Sequence, residues 1–345
     1  MTSFESDYNN GAHPDILHRL IESNSLSSSS YGNDQWSESA RNKIRAAIGC
    51  PNATIFFLTG GTQANATVID GMIDSYEGVV AVETAHINVH ESGAIEAFGH
   101  KVLTLPSHSG KMDAGELRSY LRAYHADPTW EHMVYPGMIY LTFPTELGTI
   151  YKASEIEEIY SICQSYNIPL FIDGARLGYG LMSKECDFTL PWLAQHCDAF
   201  YIGGTKVGAL CGEAVVFPRG NAPRHFFSIV KRHGALLAKS RLAGIQFEAL
   251  FTDDLYFRIA QQAISKAMEL RALFAQAGIP IKESPTNQQL VILTNKQMEK
   301  LRTQILFETW EPVDNTQTLC RFVTSWATTD EDMAQLSIAL KNLQK

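Results

Sequence analysis

A few short stretches carry side chains whose types and spacing can do chemistry. In Tyr201–Ala209, YIGGTKVGA, one lysine, Lys206, stands in a Gly-rich turn directly after the apolar run DAFYI. Burying an ammonium is costly unless it is paired or its pKa falls, and a lysine with a lowered pKa is what Schiff-base chemistry requires. Taken alone the turn reads as a surface lysine between two strands. Only its company reverses that reading.

In IDGAR, Asp173 follows the run PLFI, where an ionised carboxylate needs a cationic partner. A protonated ring nitrogen of a bound ligand would serve, with Arg176 reaching the same ligand; a structural Asp173–Arg176 pair closing the turn is the alternative. GGTQAN places the backbone N–H groups of Gly61, Thr62, Gln63 and Ala64 at a helix start, which is a phosphate cradle in physical terms or else a plain helix cap. Its spacing fits neither a dinucleotide nor a P-loop motif.

His86, in AHINVHESG, can stack on a flat ring or shuttle protons, while His90 reads more simply as a structural histidine. With Glu91 the pattern is HxxxHE, not HExxH, so no zinc site is expected. Glu146 and Thr145, in FPTELGT, end another apolar run. There a carboxylate can act as a base or orient water, cap a turn, or pair with a base on a neighbouring subunit.

The elements that must position these residues show in the patterning. Continuous apolar runs at TIFFL, VVAV, VLTL, MIYLTF, PLFID, DAFYI and EAVVF alternate with helical segments, which predicts a mostly parallel sheet covered on both faces. Ligands bind beyond the carboxyl ends of such strands, and each residue above follows one. Ahead of the sheet, Pro14 starts a short amphipathic helix, a Ser-rich loop containing YGND follows, and Ser37 is placed to cap a helix that Gly49 closes. The segment from His86 to Leu105 reads as loop, helix and strand. After Gly244 comes a long helix and a looser alternation, suited to a small mixed sheet. The expected division is an N-terminal arm with a ligand-binding large domain over residues 1–246, and a small α+β C-terminal domain over 247–345.

A chain of 345 residues with 45% hydrophobic and 19% charged residues can bury a large core plus a smaller one. Its net charge of −9, without Lys/Arg runs, argues against nucleic acid or an anionic membrane as a partner and toward small molecules or other protein chains. Six widely spaced cysteines without CxxC read as free thiols. The opening residues carry no basic and apolar leader, and no apolar run approaches membrane-spanning length, so a cytoplasmic, reduced protein is expected.

Phosphate cradle, stacking histidine, buried aspartate and buried lysine, in that chain order, describe a site for pyridoxal 5′-phosphate (PLP). On these motifs the sequence resembles the threonine aldolase and β-eliminating lyase family of fold-type I PLP-dependent enzymes, and within it the low-specificity L-threonine aldolases. The resemblance runs from Ser6-Asp7 and YGND through TGGTQAN, His86 to Glu91, IDGAR, GGTKVGA with GEAVVF, and RLAGI to RFVTSW.

That resemblance implies a PLP-transferase-like α/β fold with a mostly parallel seven-stranded sheet. It implies that Lys206 forms the Schiff base, that Asp173 keeps the ring nitrogen protonated, and that His86 stacks on the ring. Gly61 and Thr62, with Thr205, would bind the phosphate. Arg176 would contact the ring hydroxyl or the substrate carboxylate, and Arg321 is the better carboxylate clamp because its fork matches a carboxylate. Ser6, Tyr31 and Arg241 match family positions at the pocket, Tyr31 from either its own or a neighbouring subunit.

The implied reaction cleaves L-threonine, L-allo-threonine or a related β-hydroxy-α-amino acid to glycine and an aldehyde, with β-elimination on another amino acid as the alternative. The base would be His86, Glu146 or a water between them. Where the better-known form of the family has a histidine, this chain has Glu146. A homodimer or homotetramer with shared sites is also implied.

Overall fold

The computed structural model of the protein describes residues 1–343. Its strands are β1 (Thr2–Ser3), β2 (Thr54–Leu58), β3 (Glu77–Val82), β4 (Val102–Leu105), β5 (Tyr135–Thr142), β6 (Leu170–Asp173), β7 (Ala199–Gly203), β8 (Glu213–Phe217), β9 (Gln288–Thr294), β10 (Ile305–Leu306), β11 (Glu308–Pro312) and β12 (Gln317–Val323). Seven of them form the main sheet in the order β2-β8-β7-β6-β5-β3-β4. All pairings from β7 through β4 are parallel, and β8 runs against both β7 and β2. Every residue of β6, β7 and β8 is buried, as expected of strands covered on both faces.

Helices cover the faces, some buried all round, as at Ala64 to Ile69, and others along one stripe. Helix Ala153–Tyr166, for example, turns Ile156, Ile159, Ile162 and Cys163 inward. The register sets the site. Thr142 lies opposite Asp173, and Glu213 lies opposite both Gly203 and Leu58. Because β8 is reversed, its first residue shares an edge with the last residues of β2, β5, β6 and β7.

Two glycines let the turns at this edge close on each other. A Cβ at Gly203 would stand 2.1 Å from the Ala175 carbonyl oxygen, and one at Gly174 would stand 2.0 Å from that of Tyr201. No side chain fits either position, so the turn after Asp173 sits directly against the strand that leads to Lys206.

A second core gathers Leu270, Phe274, Val291, Phe322 and Leu336 around Phe4 of the arm. Helix Leu255–Gln276 joins the two cores, with Leu255 and Ile259 in the first and Leu270 and Phe274 in the second. Strand β1 pairs in parallel with β10, so the arm's first residues extend the C-terminal part of the chain.

Three local expectations change. Asp34 rather than Ser37 caps helix Gln35–Ile48: its Oδ1 accepts from the Ser37 N–H at 2.8 Å, while the Ser37 hydroxyl donates to Oδ2. The helix expected between His86 and Leu105 is only His86–Val89 and a 3₁₀ turn at Glu96–Phe98, because Ser92 and Gly93 take left-handed conformations between them. The small sheet, β11-β12-β9, is wholly antiparallel rather than mixed. No described helix is long and apolar enough to cross a membrane, and all six cysteines are free thiols.

Candidate active site

A cavity of about 450 Å³ opens at this strand edge, lined among others by Gly60, Gly61, Thr62, His86, Glu146, Asp173, Arg176, Thr205, Lys206 and Arg321. At its floor Asp173 is buried, and four neutral donors meet it. Oδ1 accepts from the Tyr201 hydroxyl and from the Ala175 N–H at 3.0 Å; Oδ2 accepts from Asn65 Nδ2 at 2.9 Å and from the Tyr140 hydroxyl. Burial pushes its pKa up, but the His86 charge and these donors outweigh it and hold the carboxyl below its usual range. An ionised carboxylate with only neutral donors suits a cationic ring N–H. Tyr201 is the one of the three side-chain donors that lines the cavity.

Lys206 follows β7, and no hydrogen-bond acceptor meets its Nζ among the described residues; Nζ lies 5.9 Å from the centroid of the Tyr8 ring. Enclosure by protein atoms, then the Arg176 charge, lower its pKa against the raising effect of Asp7, Glu146 and Asp173. An amine more easily deprotonated than a free lysine is a nucleophile toward an aldehyde.

Helix Gly61–Met72 begins behind Gly60, which is extended and supplies no side-chain cap. Of the four N–H groups expected there, that of Ala64 donates to the Gly60 carbonyl at 2.9 Å, and those of Gly61, Thr62 and Gln63 are left for an anion. Thr205 spends part of its hydroxyl on the turn, accepting from the Gly212 N–H at 3.0 Å. His86 Nδ1 donates to Glu91 Oε1 at 2.7 Å, and Glu91 also accepts from Asn65 Nδ2 at 2.8 Å. The ring is thus oriented by a buried carboxylate. Burial lowers the His86 pKa, yet Glu91, Glu146 and Asp173 raise it more, so the ring holds its proton more tightly than a free imidazole.

The two arginines differ. Arg176 does not pair with Asp173; its Nε and Nη2 donate to Asp7 at 2.7 and 3.1 Å, and Asp7 also accepts from Asn287 Nδ2 at 2.9 Å. Asp7 lies below its usual range because Arg176, Lys206 and Asn287 outweigh burial. Arg321, on β12, donates from Nη1 to Gln288 Oε1 at 2.9 Å and from Nη2 to Glu308, and its guanidinium carbon lies 4.7 Å from the Trp310 ring centroid.

Three expected residues are not brought to the cavity by this chain. The Ser6 hydroxyl donates to Asn9 Oδ1 at 2.7 Å beside a separate depression. Tyr31 is exposed, with Lys231 Nζ 4.8 Å from its ring centroid. Arg241 donates to the Leu26 and Asn24 carbonyls and packs on Trp36. Conversely His90 is no buried structural histidine; it is exposed on the cavity wall, 5.6 Å from His86 between ring centroids.

The residues that sequence reasoning missed as site residues are Tyr8, Asn65, Tyr140, Tyr201, Glu213, Glu308 and Trp310. Glu213 carried a signal, since a carboxylate opening a buried apolar strand needs a reason. Its Oε2 accepts from the Gly204 N–H at 3.0 Å, and burial pushes its pKa up to about 8 against Thr205, Gly204 and Lys206.

Comparison with known proteins places this geometry. The β-eliminating lyase family model matches residues 4–309. The low specificity L-threonine aldolase of Pseudomonas aeruginosa is 31% identical over 79% of this chain and 78% of its own length. A solved structure of threonine aldolase from Leishmania major is 36% identical, covers both chains completely and superposes with a TM-score of 0.96. Histidinol-phosphate aminotransferase of Clostridium acetobutylicum, 12% identical, covers 100% of this chain and 99% of its own with a TM-score of 0.74, and shows the fold alone. With the Asp173 pocket, the turn lysine and the helix N-terminus on one sheet edge, the chain belongs to the β-eliminating lyase family.

Proposed function

We propose that the protein is a PLP-dependent carbon–carbon lyase that cleaves L-threonine, L-allo-threonine or a related β-hydroxy-α-amino acid to glycine and an aldehyde. The observation that carries this reading is the pairing, at one sheet edge, of an Asp173 kept ionised in a buried site with a Lys206 whose ammonium is destabilised. The residues present fit the cofactor: the uncapped start of helix Gly61–Met72 for the phosphate, His86 for the ring face, Asp173 for the ring nitrogen and Lys206 for the aldehyde. When bound, PLP supplies an electron sink for the pair of electrons left at Cα when a bond to it breaks.

This chain's own residues then divide the work. Arg176, two of whose nitrogens are held by Asp7, has one Nη left for a single oxygen such as a ring hydroxyl. Arg321 keeps a buried Nε without a partner and is the residue for the substrate carboxylate. Clamping there orients the Cα–Cβ bond.

Glu146 accepts the proton of the β-hydroxyl. No hydrogen bond engages its carboxylate among the described residues, whereas His86 is held by Glu91 and is inclined to keep its own proton. The reading extends to a cytoplasmic homo-oligomer, in which exposed Tyr31 would meet a second copy.

Incubation of the PLP-loaded protein with threonine isomers tests the reaction. Glycine and acetaldehyde are expected in equal amounts; ammonia with a 2-oxo acid would establish β-elimination in its place.

A further inference from the structure

We infer that Glu308 is an internal competitor for the carboxylate site on Arg321, a specificity-determining residue that an amino-acid substrate must displace. The inference rests on the proposed role of Arg321 as carboxylate clamp.

An arginine fork offers a carboxylate two paired edges, one across both Nη atoms and one across Nε and Nη2. In Arg321 the first edge is blocked, because Nη1 is tied to Gln288 Oε1 at 2.9 Å and Gln288 is fully buried on β9. The second edge is half used. Nη2 donates to Glu308, while Nε is buried with no partner. The guanidinium carbon also lies 4.7 Å from the centroid of the Trp310 ring, a cation–π contact. The paired edge open to a ligand is therefore the one on which Glu308 already sits.

Glu308 differs from the other partner in how firmly it is held. Gln288 is fixed in the antiparallel ladder with β12, opposite Val323. Glu308 opens β11, the outer strand of the small sheet, and its side chain is 44% exposed. It can swing into solvent without leaving a buried charge, and no hydrogen bond other than that to Arg321 retains it among the described residues. It also lines the cavity itself, together with Arg321 and Trp310.

The orphaned Nε gives the exchange its direction. A glutamate on Nη2 leaves that buried donor unsatisfied, whereas a ligand carboxylate lying across Nε and Nη2 satisfies both. A carboxylate placed to use the whole edge displaces Glu308, and a ligand without one leaves it in place. Glu308 thus lowers the affinity for carboxylate ligands, substrate and glycine product alike, and leaves that for simple amines unchanged.

The test uses the PLP-loaded enzyme and follows its visible absorption during titration with glycine and, separately, with ethylamine, which lacks the carboxylate. In Glu308→Gln and Glu308→Ala the apparent Kd for glycine is expected to fall about three- to tenfold, as suits loss of a half-exposed charged competitor. The Kd for ethylamine stays unchanged, and the KM for threonine falls with that for glycine. In an Arg321→Gln background glycine binding weakens sharply and Glu308→Gln has no further effect.

Unchanged or weaker glycine binding in both Glu308 variants would overturn the inference. So would equal tightening of glycine and ethylamine, which would mean a general charge effect. Should Arg321→Gln leave glycine binding intact, the clamp reading itself fails, a result distinguishable from failure of the competitor alone.

Discussion

The floor and the mouth of the cavity satisfy their charges in opposite ways. At the floor, Asp173 is held by buried side-chain donors from helix Gly61–Met72, β5 and β7 and by the half-buried N–H of Ala175 in its own turn. At the mouth, Arg321 shares its paired edge with a half-exposed glutamate and leaves one donor unmet. A resident group suits the first arrangement, because only one neutral donor, the Tyr201 hydroxyl that lines the cavity, has to make room for it. A transient ligand suits the second, since groups already there must give way. Preorganisation and exchange are thus separated by the depth of one cavity.

The strongest way to break this contrast is at the floor. Lys206→Ala should lose activity on threonine by about 10⁴-fold or more, as removal of a covalent nucleophile does. It should also lose any borohydride-trappable adduct with PLP. Activity within tenfold of the unchanged protein would remove Lys206 from the mechanism.

Between floor and mouth, Glu146→Gln should reduce kcat by about 10²–10³-fold with little change in KM, the usual cost of removing a general base. If His86→Asn produced that split instead, the proton acceptor would be the imidazole.

The arm sharpens the comparison through stability. Asp7→Ala strands the buried Arg176 charge and should cost about 3–5 kcal/mol in urea unfolding. Conversion of both partners, Asp7→Asn with Arg176→Gln, should cost less than the sum of the two single changes.

The smallest effect concerns His86. Its folded pKa lies above that of a free imidazole, so its contribution to stability is complete below about pH 6.5 and disappears as the pH rises through the folded value. The melting temperature of the PLP-free protein relative to His86→Asn should therefore be higher at pH 5.5 than at pH 9. A difference that grows with pH would contradict the charge assignment.

Much of this was legible in the chain. Lys206, Asp173, His86 and Gly61 all follow strands, and a parallel sheet gathers strand ends on one edge. Glu213 escaped the same rule because β8 is reversed, which brings a strand's beginning to that edge, and apolar runs do not state their direction. Arg176 was found, but its partner Asp7 lies 169 residues away and nothing local announces it. Glu308 and Trp310 alternate on an exposed outer strand, where a polar pattern has no buried face to betray its purpose. Ser37 misled because both it and Asp34 are good capping residues three positions apart.

The bond set at Asp7 bears on the order in which the protein is made. Asp7 must find Asn287, 280 residues later in the chain, and Thr2 must pair with Ile305. Synthesis releases these first residues long before their partners exist, and contacts of such sequence separation are the slow ones to form. The arm therefore waits. The bonds from Asp7 to Asn287 and from Thr2 to Ile305 can form only once the C-terminal part has been made.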